Sequence, residues 1–153
     1  MTENVEQTVI QKSVTVRCNP TTAFHIWTKE ISLWWPKRHS MSGDLETAVT
    51  IEGIVGGRIY EETPNGTTYL WGEVVAWEPP HYFAYNWYLG SGAQLPSRVE
   101  IRFTPLETTG TKVEVFHRGP ELIGNLWIQR KDAFAHAWEH VLPCYLQACE
   151  ENS

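Results

Sequence analysis

One long apolar stripe at helical spacing closes this chain. Phe134, Trp138, Val141, Tyr145 and Cys149 recur at i, i+4, i+7, i+11 and i+15. They therefore share one face of a helix over roughly residues 128–150. Pro143 falls inside that span, where it removes the hydrogen bond to the Glu139 carbonyl and predicts a kink. Ahead of the helix, most of the chain alternates with a period of two. The runs "AVTIEG", "GRIYEE", "YLWGEVVAWE", "HYFAYNWYLG", "RVEIRFTPL" and "TKVEVFHRG" are separated by turn residues at Gly56-Gly57, Pro64-Asn65-Gly66, Pro79-Pro80, Gly90 to Gly92, and Gly110. Short links between such runs predict antiparallel hairpins. A sheet has a face to bury, and this helix carries the only long apolar stripe available to cover it. The predicted fold is α+β, a helix-grip: a curved antiparallel sheet wrapped around the long C-terminal helix, with two short helices after the first strand. Such a wrap leaves room for a cavity between helix and sheet.

The N-terminal third fits this plan. Val14, Val16 and Cys18 alternate with Thr15 and Arg17 as a strand. Asn19 then offers a cap and Pro20 a first helical residue. Ala23, Phe24 and Trp27 follow at helical spacing, and "SLWWP" predicts a second short helix or turn closed by Pro36. Around "WEPPH", a four-residue loop would set Gly72, Val74 and Ala76 opposite Trp87, Tyr85 and Phe83, small residues against large rings. Val99, Ile101 and Phe103 share one face of their strand, leaving Glu100 and Arg102 for surface pairing on the other.

A length of 153 residues predicts a single domain, 1–153, with its core at about 8–150. With 12 basic and 18 acidic residues the net charge is −6, and no basic cluster appears, which argues against a nucleic-acid partner. No secretory signal or membrane-spanning run is present. Cys18, Cys144 and Cys149 are an odd count without a CxxC pair and read as reduced thiols of a cytoplasmic protein. Eight Trp, six Tyr and five Phe are many for this length, and such rings suit either a core or a binding cavity.

Several stretches resemble the START-like (SRPBCC, birch-pollen-allergen-like) superfamily. They are "VTVRCNPTTAFHIWTK…WW", "VGGRIYEE", "WGEVVAWEPPHYFAYNW", "VEVFHRG" and "AWEHVLPCYL", in that order. The branch they resemble is that of the heat-shock-protein-90 ATPase activator homologues, C-terminal-domain type. Ala137 stands where that family commonly shows Gly before the helix Trp. The eukaryotic co-chaperone also carries an N-terminal domain absent from these residues. The resemblance implies binding of a small apolar or aromatic ligand in the helix–sheet cavity. Two alternatives stay open: a chaperone-associated interaction domain, and an enzyme like the polyketide cyclases and aromatases. Fold alone does not choose among them.

Tyr60, Trp71, Tyr85, Trp87 and Trp138 are the rings expected to line a ligand pocket, unless they simply pack the core. His117 shares the parity of Val113 and Val115, so it either faces the cavity as an acid–base or ligand-binding group or is a satisfied structural histidine. Glu73 becomes an acid–base candidate if the hairpin register turns it inward. "SLWWPKRH" offers two exposed-looking Trp and three potential cations, as a lid, a partner surface or a helix packed at the cavity mouth. "HAWEH" has the His-x-x-Glu-His spacing of a zinc-protease motif, with His136 and His140 about 40° apart on the helix. That face also carries Asp132, Glu139, Gln147 and Glu150 and reads as solvated. No metal and no cofactor are therefore expected.

Overall fold

The computed structural model describes residues 9–88, 96–107, 110–119 and 125–151, the side chains of 125–129 excepted. The turn expected at Gly90 to Gly92 lies outside them. The described chain runs β1 (Val9–Val16), α1 (Pro20–Thr28), α2 (Ile31–Trp34), β2 (Ala48–Ile51), β3 (Arg58–Glu62), β4 (Thr68–Glu78), β5 (Tyr82–Trp87), β6 (Ser97–Pro105), β7 (Thr111–Arg118) and α3 (Asn125–Glu151). The strands form one seven-stranded sheet in the order β1-β7-β6-β5-β4-β3-β2. Every neighbouring pair is antiparallel. None of the described helices is long and apolar enough to cross a membrane.

Local chemistry explains the element ends. Asn19 caps α1, its Oδ1 accepting from the Thr22 N–H at 2.9 Å, and Pro20 occupies the first turn. Trp34 closes α2 by donating its indole N–H to the Ile26 carbonyl at 2.9 Å. Gly72 in β4 is required by closeness: a Cβ there would overlap the Asn86 carbonyl of β5. The hairpin register is only partly the one the sequence predicts. Gly72 faces Trp87 and Val74 faces Tyr85, but a bulge then pairs Ala76 with Ala84 and Trp77 with Phe83. The extra residue at Val75 shifts every later pair by one.

The inner face of the sheet and the helix stripe meet in an aromatic core. Phe134, Trp138, Val141, Tyr145 and Cys149 are all buried, as their spacing predicts. Trp27 of α1 sits at the centre, with its ring 4.7 Å from Tyr145, 5.1 Å from Trp34 and 6.3 Å from Trp138. Tyr145 fastens α3 to α1 by donating its hydroxyl to the Ala23 carbonyl at 2.8 Å. Burial drives the phenol pKa far up, so this donor stays protonated. Trp34 and Trp35, which look exposed in the sequence, are buried instead, because α2 folds them inward onto the same core.

Candidate functional site

Residues of the Trp35–Ser40 segment and of α3, with Trp87 from β5 and His117 from β7, line one cleft of about 320 Å³. Its apolar surface comes from Trp35, from Trp87 at the end of β5, and from Phe134, Trp138 and Val141 on α3. Trp35 packs 5.8 Å from Trp87 and 6.2 Å, edge to face, from Trp138. Side-chain hydrogen bonds hold the segment after α2 in place. The Trp35 indole donates to the His39 carbonyl at 2.8 Å, and the Lys37 ammonium donates to the Ser32 carbonyl at 2.7 Å. Arg38, His39 and Ser40 form one rim, and Arg130, Ala133 and Ala137 of α3 form the other.

His117 lies in the wall of the cleft, fully buried near the end of β7. Its Nδ1 accepts the Trp138 indole N–H at 2.9 Å, and its Nε2 is 2.7 Å from the Ser97 hydroxyl. An indole N–H can only donate, so Nδ1 carries no proton. The neutral ring therefore bears its proton on Nε2 and donates to Ser97. Desolvation pushes the imidazole pKa down to about 3, so the ring is neutral at ordinary pH. Ser97 is consequently an acceptor from this histidine, and the pair is not a serine nucleophile with its base. The Phe134 ring, 4.5 Å away, packs against the same imidazole.

A second buried polar centre supports the cleft from behind. Glu61 of β3 is completely buried and accepts from the Met41 N–H at 2.7 Å, the Ser42 N–H at 3.1 Å and the Ser42 hydroxyl at 2.6 Å. The Thr47 hydroxyl at 2.7 Å and the Trp71 indole at 2.9 Å complete the set. Burial alone would raise its pKa. The hydrogen bonds from Ser42, Thr47, Trp71 and the Met41 N–H outweigh that and leave the carboxyl below its usual range. Glu61 thus anchors the loop that follows the Trp35–Ser40 rim.

The expected pocket residues separate into three groups. Trp87, His117 and Trp138 line the cleft. Trp71 and Tyr85 are buried in the core. Tyr60 lies on the outer face, where the Arg58 guanidinium covers its ring at 5.2 Å, because alternation along β3 turns Ile59 and Glu61 inward. Glu73 is exposed on the outer face, opposite Arg58 and Asn86, and the inward orientation considered for it is corrected. Glu100 and Arg102 do point outward, but they do not pair with each other. Glu100 meets Arg118 at 3.6 Å, and Arg102 covers Tyr82 at 5.0 Å.

His136 and His140 are exposed beside the rim, with their Nε2 atoms 3.3 Å apart. The His39 ring stacks 6.0 Å from His140, and its pKa is lowered by burial and then by the two neighbouring histidines. Among the described residues no group of three His, Cys, Asp or Glu is arranged to hold a metal. Arg38 and His39 fall within "SLWWPKRH", which the sequence offers as a lid, a partner surface or a cavity-mouth helix, whereas Arg130, Phe134 and Val141 are not singled out by the sequence as cleft residues.

A curved antiparallel sheet gripping a long helix, with a cleft at one end, defines a START-like helix-grip protein. A family model described as "Activator of Hsp90 ATPase homolog 1-like protein" matches residues 17–149, and the chain belongs to that family. Among curated proteins, none matches. Solved structures do. Protein NE0264 from Nitrosomonas europaea aligns with a TM-score of 0.70 at 10% identity, over 99% of this chain and 100% of that one. PFC0360w, an HSP90 activator from Plasmodium falciparum, aligns with a TM-score of 0.54 at 18% identity, over 73% of each chain. The anthrahydroquino-gamma-pyrone synthase Txn09, complexed with SUM, aligns with a TM-score of 0.55 at 29% identity, over 75% of this chain and 82% of that one.

Proposed function

We propose that this domain is a cytoplasmic binding protein for a small apolar or aromatic ligand, held in the cleft between α3 and the Trp35–Ser40 segment. The observation that carries the reading is the cleft itself. About 320 Å³ bounded by Trp35, Trp87, Phe134 and Trp138 lies within the roughly 300–1,000 Å³ typical of ligand pockets. Aromatic walls give a flat ligand broad contact area, and the buried His117–Trp138 bond keeps one wall in a fixed orientation. Native mass spectrometry of the purified protein, with and without organic extraction, tests this reading. Titration of aromatic probes by tryptophan fluorescence complements it. Ala137→Phe fills the cleft from its rim and is expected to weaken binding at least tenfold with folding retained. Unchanged binding in that variant would refute the location.

A second reading is favoured by the family match and by the likeness to the P. falciparum HSP90 activator. The domain then docks on a chaperone ATPase through an outer face. Its test is stimulation of such an ATPase, measured with the Ala137→Phe variant alongside the parent. A polyketide cyclase-like activity draws on the likeness to the synthase. It has the least support, because both ring nitrogens of His117 are already engaged.

A further inference from the structure

The rim of the cleft carries a charge pattern that neither fold nor family explains. Arg38 enters from the segment after α2, and Arg130 enters from the first half of α3. They are 92 residues apart in the chain, and only the tertiary fold brings them to one opening. Among the described residues, neither guanidinium has a carboxylate partner. The strand arginines differ: Arg58 pairs with Glu52, Arg118 with Glu100, Arg98 with the Asn86 amide, and Arg102 with the Tyr82 ring. The chain has 18 acidic residues, yet among the described residues no Asp or Glu lines this cleft. An acidic protein thus keeps a cationic mouth above an aromatic floor.

Resting on the ligand-binding reading, we infer that the cleft selects an anionic aromatic ligand, an aryl carboxylate whose ring packs on the floor formed by Trp35, Trp87 and Trp138 and whose carboxylate is taken by Arg38 and Arg130. The chemistry favours this class for three reasons. Guanidinium groups present paired N–H donors that match a carboxylate. Two unpaired cations at one opening raise the local concentration of anions, which otherwise meet a protein of net charge −6. A neutral ligand would use the aromatic floor and leave both arginines without a partner.

Isothermal titration with 2-naphthoate and its neutral counterpart 2-naphthalenemethanol tests the inference on the full chain. The carboxylate is expected to bind at least tenfold more tightly at low salt, with the gap narrowing in 0.5 M NaCl. Arg38→Gln/Arg130→Gln is expected to abolish the preference while leaving the alcohol's affinity within twofold. Both side chains are exposed, so neither substitution disturbs the core; circular dichroism of the variant and of each single change checks its fold. Equal affinity of the two probes, or a preference that survives in the double variant, overturns the anion selectivity while the apolar cleft stands. Binding of neither probe overturns the cleft reading, and this inference with it.

Discussion

The Trp138 indole donates its proton to Nδ1 of His117 across 2.9 Å of buried space. One bond thereby joins the helix stripe to β7 of the sheet and decides which nitrogen of the histidine is protonated. Removing the donor strands a buried acceptor, which costs about 1–3 kcal/mol, and a smaller ring adds a packing loss. Trp138→Phe is therefore expected to lower the free energy of unfolding by about 2–4 kcal/mol in urea denaturation. In nitrogen-15 spectra of the parent protein, the His117 ring should appear as the Nε2–H tautomer. A ring protonated on Nδ1 would contradict the bond direction.

His117 also sets a pH dependence. Its folded pKa is pushed down to about 3 from 6.5 in the unfolded chain. Above pH 6.5 both states are neutral, and the group adds no slope. Below it the unfolded state binds a proton that the folded state refuses, so stability falls as pH drops toward 3. The slope approaches about 1.4 kcal/mol per pH unit, or about 2 kcal/mol between pH 6.5 and 5. Denaturation curves of the parent and of His117→Gln over this range should diverge in slope by that amount. Parallel curves would show that the histidine titrates normally.

Glu61 is the strongest buried anchor outside the cleft. Glu61→Gln keeps the shape but replaces one carboxylate oxygen by an N–H₂ and removes the charge. The Met41, Ser42 and Trp71 N–H groups all bond Oε1 and can keep an amide oxygen, whereas the Ser42 and Thr47 hydroxyls bond Oε2 and must turn to accept from the N–H₂. The expected loss is about 1.5–3 kcal/mol, the scale of hydrogen bonds to a charged group. Urea denaturation measures it. A loss below about 1 kcal/mol would mean the loop finds other acceptors.

The thiols should react unequally. Cys18 and Cys149 are buried and in contact, and desolvation pushes the Cys149 pKa up to about 12. Cys144 is only partly buried, with its Sγ 3.5 Å from the His140 carbonyl. At pH 8 a disulfide reagent is expected to modify one thiol in the native protein and three after denaturation. Cys144→Ser should remove the native reaction. Rapid labelling of two or three native thiols would point to an open C-terminal helix.

The amphipathic stripe on α3, the alternating strands and the N-terminal capped helix are period-based features, so the sequence alone determined the helix-grip plan. A repeat of 3.6 or 2 fixes which side of an element is apolar, whatever that side later meets. The same reasoning read "HAWEH" correctly: Trp138 is buried, and His136 and His140 flank it in solvent. It failed where long-range satisfaction overrides local polarity. In "RIYEE" the inward residue is Glu61 rather than Tyr60, because donors from residues 41–47 and Trp71 neutralise the cost of burying a carboxylate. The bulge at Val75 moved Phe83 off Ala76, since alternation cannot register an extra residue. Trp87, His117 and Trp138 were legible as pocket residues, but the cationic rim was decided by tertiary structure alone. Arg38 and Arg130 become neighbours of one cleft only when α3 is gripped by the sheet and the Trp35–Ser40 segment closes over its end.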